Sequence, residues 1–392
     1  MKSKRTVLTN GTVVFPDGVL QGGVVVIKNS LISELAYADN FKPLESDYVI
    51  DCENNYVCPG FIDIHNQGGN GFSVMDGSEE SIFGMCRAHA AHGTTGLLLT
   101  PVIEERGYRS LLPKLAGLTG KDTGGAAILG IHAEGPFTNP AKSGFMPKSG
   151  ILHPDVKVLD DILEHGGGKI VEMTIAPELP GALDIINTLA RNGIVVSLGH
   201  SNATLNEVLK AIDYGASHVT HFFNTMRPIH HREPGLAGVA LYSTDLTVEI
   251  IMDGFHLHPW IVGLILQNKS PMLTCLVTDA MSVTGFDDGE YEELGQKVVL
   301  KDGHIVLADD PSTLAGSVLT MDRAVGNMMN MLGISIVDAV TMASTTPSTV
   351  LGLENRKGRI EVGFDADIVV LGRTYETEMT LLQGEIFYEK KK

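Results

Sequence analysis

The stretch Ala126-Ala127-Ile128-Leu129-Gly130-Ile131-His132-Ala133-Glu134-Gly135-Pro136-Phe137 passes from an apolar run into two polar side chains and breaks at Gly-Pro. An uninterrupted apolar run of this length suits a strand buried on both faces, as in a parallel sheet. Strand side chains alternate with period two, so His132 and Glu134 project to the same side at the strand's end. A carboxylate thus stands where a site can form. Taken alone, a strand-terminal glutamate such as Glu134 is more often a structural hydrogen-bond acceptor than a metal ligand. Its meaning depends on whether other strands deliver complementary groups to the same end.

Outward from this stretch the pattern repeats. Apolar strand candidates at 57–65, 94–100, 126–132, 170–176, 194–198, 218–221, 247–252 and 273–277 alternate with helix-length segments. Eight such units in about 290 residues predict an α/β fold of the (β/α)8 barrel type, whose usual size is about 250 residues before insertions. An open doubly wound sheet is the alternative, but Gly68-Gly69-Asn70-Gly71 lacks the spacing of a phosphate-binding loop. The flanks read differently. Short strands and turns fill 7–14, Pro16-Asp17-Gly18, 23–28, 31–35 and 48–52, and the style returns at 358–360, 367–371 and 379–388, turning at Gly384. Each flank offers too few strands to bury a face, so the two are expected to pair into one small β-sandwich. The expected division is 1–57 with 355–392 for that unit and 58–354 for the barrel.

Lys plus Arg number 29 and Asp plus Glu 47, giving 29 − 47 = −18. The one basic run is Lys390-Lys391-Lys392, so nucleic acid is excluded as a partner: binding it requires a cationic surface. An anionic small molecule would need a local cation to overcome this field. Cys52, Cys58, Cys86 and Cys275 are scattered without a C-x-x-C pair, which fits buried reduced thiols. The start Met1-Lys2-Ser3-Lys4-Arg5 leads into alternation and a turn, not an apolar leader, and no run approaches the roughly 18 apolar residues of a membrane span. A cytoplasmic enzyme without a membrane partner is expected.

Barrel enzymes carry their chemistry at the carboxyl ends of the strands. Read there, strand one gives Asp63, His65 and Gln67 on one face, strand three Glu134, strand five His200, strand six His221 and strand eight Asp279. His65, Glu134, His200, His221 and Asp279 come from five separate strands and meet at one rim. Divalent zinc or iron favours imidazole nitrogen with carboxylate oxygen and, in catalysis, an open position for water. Glu134, His200 and His221 make such a three-ligand set. Asp279 is then free to act as a base.

The motifs Pro59-Gly60-Phe61-Ile62-Asp63, His132-Ala133-Glu134-Gly135-Pro136-Phe137, Leu198-Gly199-His200-Ser201, Thr220-His221-Phe222-Phe223-Asn224-Thr225-Met226, Arg232-Glu233-Pro234-Gly235, Asp253-Gly254-Phe255-His256, Val277-Thr278-Asp279-Ala280 and Leu314-Ala315-Gly316-Ser317 resemble those of the N-acetylglucosamine-6-phosphate deacetylases. These belong to the amidohydrolase superfamily. The resemblance covers nearly the whole chain. It implies hydrolysis of the acetamide of N-acetylglucosamine 6-phosphate to glucosamine 6-phosphate and acetate. It also implies one tightly held divalent metal, Zn2+ before Fe2+, Mn2+ or Co2+, on Glu134, His200 and His221, with Asp279 as acid/base. His256 would contact the sugar and the acetamide carbonyl, while Asn224, the Thr225 backbone and Arg232 would hold the phosphate. A homodimer is implied too, in which His231 and Arg232 serve a neighbouring subunit's site. Arg232 is the local cation that the net charge makes necessary.

Two departures stand out. Relatives commonly have His-x-His on strand one or neither histidine, whereas this chain has His65 and Gln67, a set for a second, weaker ion. Met146 stands where relatives often have a polar residue or histidine near the substrate, which bears on the choice of sugar. Rival activities are deacetylation of another amino sugar such as N-acetylgalactosamine 6-phosphate, or hydrolysis of an N-acyl amino acid or a cyclic amide. A carboxylated lysine for the last is missing from the end of strand four, where the nearest lysine is Lys169 at its start. A non-catalytic scaffold is the remaining rival, disfavoured because Glu134, His200, His221 and Asp279 are all kept. Among the other histidines, His89 and His92 are read as lying at the barrel's wrong end, and His218 as facing outward to the helices. His132 is read as a support for Glu134, and His153, His165, His258 and His304 as surface or loop residues.

Overall fold

The computed structural model describes residues 5–105 and 107–391. The leader reading over residues 1–4 and the last residue of the basic triplet, Lys392, lie outside them.

Eight parallel strands pair in chain order: Phe61–Asp63, Thr94–Leu99, Ala127–Glu134, Ile170–Ile175, Val195–Leu198, His218–Val219, Thr247–Ile251 and Thr274–Val277. The first and last close the ring at their carboxyl ends, where Asp279 N donates to His65 O at 2.9 Å and Gln67 N to Ala280 O at 3.0 Å. A helix follows every strand, from Glu79–Ala90 after the first to Met321–Leu332 after the eighth. These helices form because their apolar residues recur at helical spacing. Ala182–Arg191 buries Ala182, Ile185, Ile186 and Leu189 against the sheet. Starts are fixed by caps, as where the Ser78 side chain accepts from Ser81 N and that of Asp155 from Lys157 N. The architecture is the (β/α)8 barrel expected from the alternation.

Two of the shifts in barrel strand boundaries bear on how the chain enters the barrel and reaches its mouth. The segment 57–65 is two strands: Tyr56–Pro59 belongs to the small sheet and Phe61–Asp63 to the barrel. Gly60 makes the crossover, and a Cβ there would lie 2.2 Å from Thr95 Cγ2, so the chain passes against the second barrel strand where only glycine fits. The third strand runs on to Glu134.

Both chain ends hydrogen-bond into one sheet. Its order is Glu385–Glu389, Thr377–Leu382, Ile368–Leu371, Tyr56–Pro59, Thr6–Phe15, Gly18–Lys28, Leu31–Tyr37. Tyr48–Asp51 pairs with the first half of Thr6–Phe15 and Tyr56–Pro59 with its second half, so the sheet branches around a core that includes Leu8, Val25, Ile32 and Leu381. The strand expected at 358–360 is irregular instead. Gly358 has φ +82° and abuts the Ser344 carbonyl, and Ile360 is buried without strand pairing.

A further sheet was not anticipated. Gly289–Glu293, Gln296–Lys301 and His304–Leu307 form an antiparallel meander after the eighth barrel strand, around Val298, Leu300 and Ile305. Among the described residues no helix is long and apolar enough to cross a membrane. All four cysteines are buried and unpaired.

Candidate active site

At three strand ends the backbone itself aims the side chains. His200, His221 and Asp279 adopt left-handed φ of 47°, 27° and 49°. Such conformations are disfavoured for residues with a Cβ, and they cluster where a site over-determines them. Each turns the chain over just past its strand, so that the side chain points into the barrel mouth.

There Glu134, His200 and His221 converge. Glu134 Oε1 is 3.2 Å from His200 Nε2 and 3.4 Å from His221 Nε2, and the two nitrogens are 3.0 Å apart. Donors about 2.1 Å from one tetrahedral ion would stand about 3.4 Å from each other, so this set fits a zinc-sized cation. The His200 Nδ1–H donates to the Lys142 carbonyl at 2.9 Å, which leaves Nε2 free as a ligand. Burial alone would raise the Glu134 carboxyl, yet His200 and His221 hold it well below the usual range.

Gln67 and Asp279 complete the floor. The Gln67 amide donates to Glu134 Oε2 and to Asp279 Oδ1, both at 3.1 Å. Burial raises the Asp279 carboxyl, the neighbouring Glu134 charge adds to this, and His65 opposes it. Strand eight is tied to strand one through Asp63, which accepts from Thr278 N and Thr278 Oγ1 at 3.1 and 2.6 Å. That clamp fixes the residue next to Asp279. His65 Nε2 lies 3.7 Å from Glu134 Oε1 and 3.5 Å from Asp279 Oδ1, with Nδ1 on Glu249 at 2.9 Å.

Above this floor opens a cavity of about 280 Å³. Met146, Asn224, Thr225 and His256 line it, together with Leu294 from the meander and Thr313 from the loop after it. These last two escaped the sequence reading. Asn224 Nδ2 donates to the carbonyls of His221 and Phe222, each at 3.2 Å. His256 Nδ1 is 2.6 Å from Asp253 Oδ2. Burial would lower the imidazole, but the bond and charge of Asp253 raise it overall. Asp253→Asn should therefore bring the His256 midpoint down, followed by NMR titration of the ring protons; an unmoved midpoint would dissociate the two residues.

Arg232 is not brought into this cavity. It is exposed, with Nη1 2.7 Å from His231 Nε2, and among the described residues lining the cavity there is no lysine or arginine.

Four histidine readings need correction. His218 faces into the barrel, fully buried, 3.5 Å from Glu249 Oε1. The parity count from His221 failed because the strand ends at Val219 and the chain turns over before His221. His132 makes no hydrogen bond to Glu134; its partners are Thr174 Oγ1 at 2.8 Å and the Ile64 carbonyl at 3.2 Å. Burial and His65 push it down to about 3, so it stays a neutral packing partner. His89 supports the loop after strand one, 2.8 Å from the Gly68 carbonyl and 3.0 Å from Asn66 Nδ2, rather than lying at the far end. His304, read as loop or surface, starts a meander strand and stacks on Phe255.

Residues 56–387 match the model of the Amidohydrolase family. The chain is 34% identical to the N-acetylglucosamine-6-phosphate deacetylase of Bacillus subtilis, over 97% of this chain and 96% of that one. It is 33% identical to that of Mus musculus, over 98% and 94%. Among solved structures, a mutant of the Mycobacterium smegmatis N-acetyl-D-glucosamine-6-phosphate deacetylase in complex with N-acetyl-D-glucosamine-6-phosphate superposes with a TM-score of 0.91 at 31% identity, over 98% and 99%.

Proposed function

Since this chain belongs to the amidohydrolase family, among its N-acetylglucosamine-6-phosphate deacetylases, we propose that Glu134, His200 and His221 hold one Zn2+ and that Asp279 is the acid/base. The reaction is hydrolysis of the acetamide of N-acetylglucosamine 6-phosphate to glucosamine 6-phosphate and acetate. The observation that carries the residue assignment is the trio of donor atoms 3.0–3.4 Å apart on the cavity floor, with Asp279 beside it.

When bound, a divalent ion lowers the pKa of water towards neutrality and polarises a carbonyl. The protein's groups do the rest. Asp279 accepts the proton of the attacking water and returns it to the amine nitrogen as the C–N bond breaks, so the carboxylate is regenerated each turnover. Gln67 keeps Asp279 beside Glu134 through its two 3.1 Å bonds. His256, with Nδ1 committed to Asp253, offers Nε2–H to the carbonyl oxygen as negative charge develops there. Met146, with Phe145 and Leu314, forms an apolar wall against the sugar. His65 and Gln67 are the ligands of a weaker second ion on this reading.

The same reading makes the protein a cytoplasmic homodimer, with its catalytic residues in 58–354 and the small β unit in 1–57 and 355–392. A cavity without its own cation needs one for a phosphate, and Arg232 is presented outward. Four reduced, buried thiols suit the cytoplasm.

Arg232→Ala should raise KM for the phosphorylated sugar about 10- to 100-fold, the equivalent of about 1.5–3 kcal/mol for a charged hydrogen bond, and leave kcat within a few-fold. An unchanged KM removes Arg232 from the phosphate site. Acetate release from N-acetylglucosamine and N-acetylgalactosamine, each with and without 6-phosphate, tests the substrate: the gluco 6-phosphate should dominate. Preference for the galacto epimer would move the assignment to the rival sugar.

A further inference from the structure

Directly beneath the catalytic ligands, the barrel interior carries a second cluster that the reaction above does not use. Glu172, His218 and Glu249 are all 0% exposed and offer one ligand atom each within 4.8 Å of one another. A (β/α)8 interior is ordinarily filled by branched apolar side chains. Two carboxylates there need compensation. Among the described residues Lys269 is the buried lysine or arginine side chain, and its ammonium is spent on the carbonyls of Ser243 and Leu246.

The unmet valences point to what is needed. Both Glu172 oxygens, Glu249 Oε1 and His218 Nε2 have no hydrogen-bond partner. His218 Nδ1–H donates to Thr247 Oγ1 at 2.5 Å, and the Thr247 proton goes to the Ser217 carbonyl at 3.1 Å. With Nδ1 committed to Thr247, His218 turns its Nε2 towards two carboxylates. Nε2 stands 3.5 Å from Glu249 Oε1 and 3.9 Å from Glu172 Oε1, too far for good hydrogen bonds. Those separations are near the about 3.4 Å expected of two donors on one tetrahedral ion.

We propose that Glu172, His218 and Glu249 form a second divalent-cation site, of the Zn2+ type, sealed within the barrel one layer below the catalytic centre. Two carboxylates, one neutral imidazole and one doubly charged ion make a neutral unit, and the nitrogen and oxygen donors suit zinc. The second Glu172 oxygen or a trapped water fills the fourth position. Glu249 joins the two layers: its other oxygen accepts from the His221 backbone N–H at 2.7 Å and lies 2.9 Å from His65 Nδ1. An ion on Glu249 thus braces the turn that carries a catalytic ligand. The site is structural, distinct from the weaker set at His65 and Gln67.

Zinc-loaded full-length protein, desalted so that the weaker set at His65 and Gln67 empties and then treated with excess colorimetric chelator, should release one equivalent while native and a second only on unfolding in guanidinium. Anomalous diffraction at the zinc edge should place a peak between Glu172, His218 and Glu249. Glu172→Gln should drop the total from two equivalents to one, losing the slow one and keeping the fast one. An empty anomalous map at this position in zinc-loaded wild type overturns the proposal, as does a Glu172→Gln protein that retains the slow equivalent. Should that variant not fold, the wild-type map decides alone. Loss of the fast equivalent or of acetate release would instead bear on the catalytic reading.

Discussion

Asp279→Asn should lower kcat about 10³- to 10⁴-fold, the upper range for removing a general acid/base, while the protein keeps its catalytic metal. The substitution preserves shape. The amide oxygen can still accept from Gln67 Nε2, which now stands 3.1 Å from Asp279 Oδ1, so the floor stays in place. The donor trio of Glu134, His200 and His221 is untouched, and the Thr278–Asp63 clamp holds the turn as before. What disappears is the proposed acid/base, the carboxylate that would take a proton from water and return it to the leaving nitrogen. KM should change little, because on the proposed mechanism Asp279 acts in proton transfer and not in holding the phosphate. Steady-state kinetics together with metal analysis check this. A variant with wild-type metal content and more than a tenth of wild-type kcat would remove Asp279 from its role.

Glu134→Gln should abolish turnover by a different route, through the metal. Glu134 is the only anionic member of the trio, and its Oε1 faces both imidazoles while Oε2 accepts from Gln67. A glutamine offers a weak neutral oxygen and must turn its amide hydrogens either on the histidine lone pairs or on the Gln67 amide. Affinity for the fast-exchanging ion should fall by at least the about 10- to 100-fold typical of losing a mere supporting group, and acetate release at one equivalent of zinc should drop below detection. Folding should survive, since the side chain keeps its volume and the strand its ladder. The thermal midpoint distinguishes this from general damage. A folded variant that still holds its full catalytic equivalent would show that Glu134 is not a ligand.

Much of the barrel and the identity of its rim residues were legible because both rest on local rules. Near-continuous apolar runs separated by helical spacing specify buried parallel strands, and a polar residue just past each run lands at the mouth. The same logic failed where a strand did not continue straight. Counting by twos from His221 sent His218 outward, but the strand stops at Val219 and His221 sits in a left-handed turn. Glu172 and Glu249 went unread because each lies alone inside an apolar run, Ile170–Ile175 and Thr247–Ile251, where nothing local says that two such runs bring their acids together. The split at Gly60 depends on the contact with Thr95, a long-range fact. The meander was readable in principle. Val298 and Leu300 share one face of an apolar run flanked by Lys297 and Lys301, and Gly295 and Gly303, with φ of 72° and 81°, mark its turns. Arg232 shows the remaining gap: a single chain displays the cation but not the cavity that would receive its charge.

The most direct measurement is acetate release from N-acetylglucosamine 6-phosphate by one preparation in three states: as purified, after chelation of the fast-exchanging ion, and after return of one equivalent of Zn2+. The account predicts one acetate per glucosamine 6-phosphate formed, loss of turnover on chelation and recovery on return. Acetate release that persists unchanged without that ion, or none in any state from a folded, zinc-loaded protein, would contradict it.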